Sequence, residues 1–329
     1  FQSLAVAMEF PDAVVTGLAS GTYSVFGPAV DAFDTAITTA FPTAMSTIND
    51  YFTSVQHPLA ARLPLMKASY ALFAIAFYAV ALLVLFPVGK VLGKRKYRFI
   101  GLIHNGFLLA LSWYMSTSIA ITAVAAGYSL WNNACGVDGP HDWRMAKLMW
   151  LFYISKLPEF MDTFLMMLKQ NYRQVSFLHL YHHGSVFLMW FYVVTKGPGG
   201  EAYWSATLNS AVHVVMYGYY FGTMLFVTGP VRNFLNTFKF FITKGQMTQF
   251  VLNCVQSIYD LHIVDRADLL YPADLIQVYF GYMITLLALF GNFLIQNKGK
   301  RSPGSASPVS SPNGSPTTAS PKVYAKKRN

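Results

Sequence analysis

Residues 175–194 read VSFLHLYHHGSVFLMWFYVV, a run with no carboxylate, lysine or arginine but with three histidines, His179, His182 and His183. A helix needs about 20 mostly apolar residues to cross a bilayer, and this run is long enough. Offsets of three and four residues fall on one helical face, within about 100° of arc. Three imidazoles therefore project together from a segment placed in hydrocarbon, where polar groups are costly and line internal cavities. A lone buried histidine reads as structural, whereas three on one face read as a site.

The rest of the chain agrees with a membrane setting. Of 329 residues, 54% are apolar and only 12% charged, about half the charged share of soluble domains. Seven segments are apolar and long enough to span, near 69–89, 99–127, 146–168, 175–195, 206–228, 236–258 and 275–296. The sixth is interrupted by Thr243, Lys244, Gln246 and Gln249. The expected fold is an all-α integral membrane protein of seven transmembrane helices. The net charge of +10 lies in short clusters between the apolar runs, as cytosolic loops require. This distribution excludes nucleic acid as the partner and leaves the lipid bilayer.

Charge placement also sets the orientation. Lys90, Lys94, Arg95, Lys96 and Arg98 put the loop 90–98 in the cytosol, followed by the connections bearing Lys169, Arg173, Arg232, Lys239 and Lys244. The N-terminus is then lumenal and the C-terminus cytosolic. Residues 1–61 contain no Lys or Arg, which reads against a signal or transit peptide, and form a lumenal arm with one interfacial helix. Residues 62–297 hold the seven helices. Residues 298–329, rich in Ser, Pro and Gly, read as a disordered basic tail. Asn313-Gly314-Ser315 matches a glycosylation acceptor on the wrong side of the membrane for use. The ending Lys326-Lys327-Arg328-Asn329 resembles a dilysine signal for return to the endoplasmic reticulum.

Three further polar groups accompany the histidines. Asn209, His213, Tyr217 and Tyr220 fall on one side of the fifth segment, facing the histidine helix as the opposite wall of one site. Lys156, Glu159 and Thr163 share a face of the third, with Asp162 one step round and Pro158 kinking the helix. A Lys and a Glu three apart inside a span can pair and lower each other's desolvation cost. Thr243, Gln246 and Gln249, beside Lys244, open the sixth segment. Their amides suit hydrogen bonding to a pantetheine-like chain and the lysines suit phosphates.

Lys156-x-x-Glu159-x-x-Asp162-Thr163, His179-x-x-His182-His183, His213-x-x-Met216-Tyr217-x-Tyr219-Tyr220 and Thr243-x-x-Gln246-x-x-Gln249 resemble, in order and spacing, the four signature motifs of the ELO-type fatty acid elongases. The resemblance covers roughly residues 69–297. It implies six helices ringing a narrow acyl tunnel closed at the lumenal end, with CoA entering from the cytosol. It further implies condensation of a long-chain acyl-CoA with malonyl-CoA to 3-ketoacyl-CoA, with no cofactor and no metal. The nucleophile would be His182, faced by His213 and Asn209 and assisted by His179 and His183. Lys156, Glu159, Asp162, Tyr217, Tyr220, Thr243, Lys244, Gln246 and Gln249 would bind substrate. The implied partners are a ketoacyl reductase, a dehydratase and an enoyl reductase, and a second copy of the chain as a homodimer.

The chemistry suits these residues, since burial favours the neutral, nucleophilic imidazole and a dry tunnel protects an acyl intermediate. Cys135 matches a cysteine that some family members pair across the lumenal face, but residues 259–274 contain no Cys. His104 precedes Asn105 where a Tyr-Asn pair is more usual. Gln174 ahead of the histidine box, and the run from Pro198 to Ser205, resemble the branch acting on polyunsaturated chains. Two other protein classes fit the sequence less well. A membrane di-iron desaturase or hydroxylase needs about eight clustered ligands, and His57, His104, His141 and His262 stand apart. A multi-pass transporter usually shows repeated halves, and none is evident.

Overall fold

The structure, a computed structural model, describes residues 12–93 and 97–298. Every regular element among the described residues is a helix: α1 (Asp12–Ala40), α2 (Pro42–Val55), α3 (Pro58–Ala61), α4 (Ala68–Leu92), α5 (Arg98–Ala125), α6 (Pro140–Ile154), α7 (Lys156–Leu168), α8 (Phe177–Lys196), α9 (Ala202–Leu225), α10 (Pro230–His262) and α11 (Ala273–Lys298). Residues 292–298 complete α11 and are described by themselves. The expectations for Lys94, Arg95 and Lys96, for the tail with Asn313 and Lys326, and for the Lys239 side chain lie outside what is described.

Among the described residues, four helices are long and apolar enough to cross a membrane: Asp12–Ala40, Ala68–Leu92, Arg98–Ala125 and Ala273–Gln296. The chain is a multi-pass membrane protein. Helices α8, α9 and α10 coincide with three of the segments expected to span, but they carry the histidines and amides that thin their apolar content.

Two elements differ from expectation. In place of an arm with one interfacial helix, residues 12–55 form α1 and α2, and α1 is itself long and apolar enough to span. Its Phe26 and Phe33 pack edge-on against Phe77 and Phe73 of α4, at 5.9 and 5.6 Å between ring centres. The expected third helix, 146–168, is two helices. Pro158 has no N–H to offer the Ile154 carbonyl four residues back, and its ring crowds that carbonyl. The helix therefore ends at Ile154 and restarts at Lys156, with the Ser155 hydroxyl donating to Phe152 O at 2.7 Å across the break.

Side-chain contacts arrange the elements in a circuit. The α6–α7 pair is its most buried member, and every residue from Arg144 to Tyr153 is buried. Helix α6 meets α8 through Phe152 against Trp190 and Tyr153 against Phe187. Helix α8 meets α11 through Tyr181–Thr285 and Ser185–Tyr282 hydrogen bonds of 2.9 and 3.1 Å. Phe250 of α10 packs on Phe290 of α11. Helices α9 and α5 close the circuit. A side chain at Gly106 would bring Cβ within 3.2 Å of Phe221, the close approach that small residues allow between membrane helices. Helix α4 lies outside, with Tyr78 stacked on Phe160 of α7.

The end of the circuit near Tyr271 is closed by loops. Asn132, in the left-handed region at φ 58, donates its amide to Asp268 O at 3.0 Å and accepts from Leu270 N at 2.8 Å. Its backbone N–H donates to Asp260 at 3.1 Å. Glu201 accepts from the Asn133 backbone and side chain and from Gln256. Tyr271 donates to Gly197 O at 2.8 Å. Cys135 and Cys254 are both free.

Candidate active site

Helix α7 is the hub of the site, because four of its side chains each reach another helix. Lys156 donates to Glu159 at 2.8 Å and to Asn209 of α9 at 3.3 Å, and its ammonium sits 4.0 Å above the Phe152 ring. Asn209 in turn donates to Gln249 of α10 at 3.4 Å. Lys156 is 1% exposed and Glu159 3%, so the pair sits where an unpartnered charge would be costly. Lys156 is the first residue of α7, directly after the break at Ser155.

Thr163 makes the second link. Its hydroxyl lies 2.8 Å from His179 Nε2 and 2.8 Å from Tyr78 OH, joining α7 to α8 and α4. Asp162 makes the third. One oxygen lies 2.9 Å from His104 Nε2 on α5, and the other accepts from Tyr217 OH on α9 at 2.8 Å.

The histidine box turns inward as its spacing requires. Ser176 caps α8 by accepting from the His179 backbone at 3.3 Å, which fixes the first turn. The rings of His179 and His183 are 4.4 Å apart, and His182 lies 5.6 Å from His183 and 5.7 Å from Phe290. His182 Nδ1 is buried and has no hydrogen-bond partner among the described residues. It lies within electrostatic reach of His213, Glu159, Lys156 and His179. His213 Nδ1 is 3.4 Å from Glu159 Oε1, a charge contact not aligned as a hydrogen bond. The His213 ring stands edge-on to Tyr217 at 5.5 Å.

The structure thus joins His179, His182, His183, Lys156, Glu159, Asp162, Asn209, His213, Tyr217 and Gln249 in one connected interior. Tyr220 meets Tyr217 edge-on at 6.4 Å between ring centres but is 39% exposed. Gln246 contacts the Met216 sulfur at 3.8 Å. Thr243 and Lys244 lie about a turn earlier on α10, and Lys244 is exposed. Among the described residues no group of three or more His, Cys, Asp or Glu side chains is arranged to hold a metal ion.

Several interior residues escaped the sequence reading. On α10, Gln246 and Gln249 begin a stripe that continues through Asn253, Gln256 and Asp260, at the three-and-four spacing of one face. Asn253 donates to Ser205 at 3.3 Å, and its own carbonyl is buried without a partner. Glu201, Gln256, Asp260, Tyr271, Tyr279 and Trp190 surround a cavity of about 30 Å³ at the closed end. The spacing alone would have revealed the stripe. Nothing in sequence tied Tyr78 or His104 to α7, which they meet from 85 and 58 residues away.

Fold and site together define a multi-pass membrane protein with a buried, cross-linked set of imidazoles and amides. Residues 63–304 match the family described as ELO: GNS1/SUR4 family. Fatty acid elongase 6 of Leishmania major is 52% identical over 297 residues, which is 90% of this chain and 78% of that protein. Very long chain fatty acid elongase 5 of Homo sapiens is 36% identical over 199 residues, 60% of this chain and 64% of that protein. The protein of the same name from Tachysurus fulvidraco is 34% identical over 230 residues, 69% of this chain and 76% of that protein. The chain belongs to the ELO (GNS1/SUR4) family.

Proposed function

We propose that this protein carries out the condensing step of fatty acid elongation, joining a long-chain acyl-CoA to malonyl-CoA with release of CoA and carbon dioxide. The observation that carries the reading is His182. Its Nδ1 is buried and unpartnered in the interior that also holds the hydrogen-bonded Lys156, Asn209 and Gln249. An imidazole nitrogen with a free lone pair in a water-poor site is a competent nucleophile toward a thioester.

In the first half-reaction His182 attacks the acyl carbonyl, the C–S bond breaks, and CoA leaves with a proton. The product is an acyl-imidazole. In the second, malonyl-CoA loses carbon dioxide, the resulting carbanion attacks the acyl carbonyl, the C–N bond breaks to give 3-ketoacyl-CoA, and the departing imidazolate takes a proton from solvent to restore the imidazole. Asn209 and Lys156, hydrogen-bonded to each other at 3.3 Å, supply donors for the oxyanion formed at each attack.

The circuit of α5, α6–α7, α8, α9, α10 and α11 is the wall of the acyl tunnel in this reading, with α4 as a seventh span outside it. The end bearing Arg98 and Arg232 faces the cytosol and admits CoA, and the Tyr271 end is lumenal. The endoplasmic reticulum is the proposed compartment. Polyunsaturated chains are the proposed substrates, and the reductases and dehydratase of the cycle consume the product.

The test is intact mass measurement in detergent. An acyl-sized gain with acyl-CoA alone, absent in His182→Ala and discharged by malonyl-CoA as 3-ketoacyl-CoA appears, is the expected result. Absence of both adduct and product across several acyl-CoAs would overturn the reading.

A further inference from the structure

His104 lies far in sequence from every motif of the site, yet its Nε2 is 2.9 Å from Asp162 Oδ1, with His104 9% and Asp162 15% exposed. An ionised carboxylate only accepts hydrogen bonds. Here each oxygen has one donor: the imidazole on one and Tyr217 OH, at 2.8 Å, on the other. Tyr217 is 1% exposed, and its ring meets His213 edge-on at an interplanar angle of 89°. His213 in turn lies 3.4 Å from Glu159 and within electrostatic reach of His182. A line of contacts runs from His104 on α5 through Asp162 on α7 to Tyr217 and His213 on α9, and His213 lies within electrostatic reach of His182.

Other groups near this line do not replace His104. Lys169, Tyr220, His179 and Tyr78 feel the Asp162 charge, but the oxygen that His104 faces has no second donor among the described hydrogen bonds. Asn105, next to it, is engaged elsewhere, donating to Gly101 O at 2.7 Å. Without His104, Asp162 would be free to turn and Tyr217 would lose the anchor that sets its ring against His213.

We propose that His104 is a positioning residue of the condensation reaction: it holds Asp162, Asp162 holds Tyr217, and Tyr217 sets the orientation of His213 beside His182. This rests on the condensing activity proposed above. A small misplacement of a group near the chemistry lowers turnover by about tenfold to a hundredfold without altering substrate affinity. His104 touches no substrate in this scheme, so its removal falls on kcat rather than KM.

The test is steady-state condensation by the full-length protein in detergent, with acyl-CoA and malonyl-CoA each varied. His104→Leu and His104→Asn, the latter too short to reach Asp162, should each lower kcat about tenfold or more. Both KM values should stay within about twofold of wild type. His104→Gln, whose amide reaches to the position of Nε2, should recover most of the loss. Tyr217→Phe combined with His104→Asn should cost no more than the worse single change, because both act on one line of contacts. Wild-type kcat in a folded His104→Asn, a loss confined to KM, or a lower thermal midpoint with unchanged kcat would each overturn the proposal. If His104→Leu does not fold, the comparison of Asn with Gln decides. A wild-type protein that forms no 3-ketoacyl-CoA would instead remove the proposed function itself.

Discussion

Lys156 and Glu159 form an ion pair of 2.8 Å one helical turn apart, and the same ammonium reaches Asn209 on a different helix. The pair therefore both neutralises charge inside the protein and ties α7 to α9. Removing one partner leaves a buried charge uncompensated, at about 3–5 kcal/mol. Lys156→Met and Glu159→Leu should each lower the thermal midpoint in detergent sharply. The double variant should recover much of that loss while remaining inactive. A double variant no more stable than the worse single one would contradict this account.

His182 is the residue whose loss should abolish turnover while sparing the fold. Its Nδ1 has no hydrogen bond to lose, so His182→Ala should cost little stability. Condensation should drop by roughly a thousandfold or more, as for a nucleophile. His183→Ala should be milder in rate. The two measurements are thermal unfolding and product formation on the same preparations.

Gly200 occupies the left-handed region at φ +50, and a Cβ there would meet Asn133 O at 2.6 Å and Tyr271 Cδ2 at 2.8 Å. Gly200→Ala should destabilise the protein by at least about 1–2 kcal/mol from backbone strain alone. The clash adds to this, since both neighbours are anchored. Unfolding in detergent measures it, and an unchanged midpoint would show that the closed end is looser than the contacts indicate.

Burial, and then the nearby Asp260 carboxylate, pushes the Glu201 carboxyl up from its ordinary 4.5 to about 8. A group that holds its proton more tightly when folded contributes stability that is full below 4.5 and is lost as pH rises toward 8. The thermal midpoint should fall across that interval, and Glu201→Gln, which keeps a neutral group at all pH values, should flatten the slope. Equal slopes for the two proteins would argue against a protonated Glu201.

Much of the helical layout and of the site was legible because both follow a period. The runs of apolar residues mark α4, α5, α8, α9 and α11, and the three-and-four spacing puts the histidine box and Asn209, His213 and Tyr217 on inward faces. Pro158 marked a disturbance, and the helix is interrupted three residues before it at Ser155, whose hydroxyl donates to Phe152 O. What stayed hidden depends on partners distant in the chain. His104 has no periodic signature and acquires its role only by meeting Asp162. Glu201 looks like a loop carboxylate until Asn133 and Gln256 close over it. Residues 12–40 are broken by Gly17, Gly21, Gly27 and Pro28, which read as interruptions, yet packing on Phe73 and Phe77 goes with a continuous helix.

The clasp at Asn132 has a consequence for how the protein can be made and handled. The loops at the closed end are held by an amide bridging Asp268 and Leu270, while both cysteines stay as thiols. Burial pushes the Cys135 thiol up to about 12, so almost none of it is the reactive thiolate near neutral pH. With no disulfide between the two cysteines, dithiothreitol should leave the thermal midpoint in detergent unchanged, and Cys135 should react slowly with thiol reagents near neutral pH.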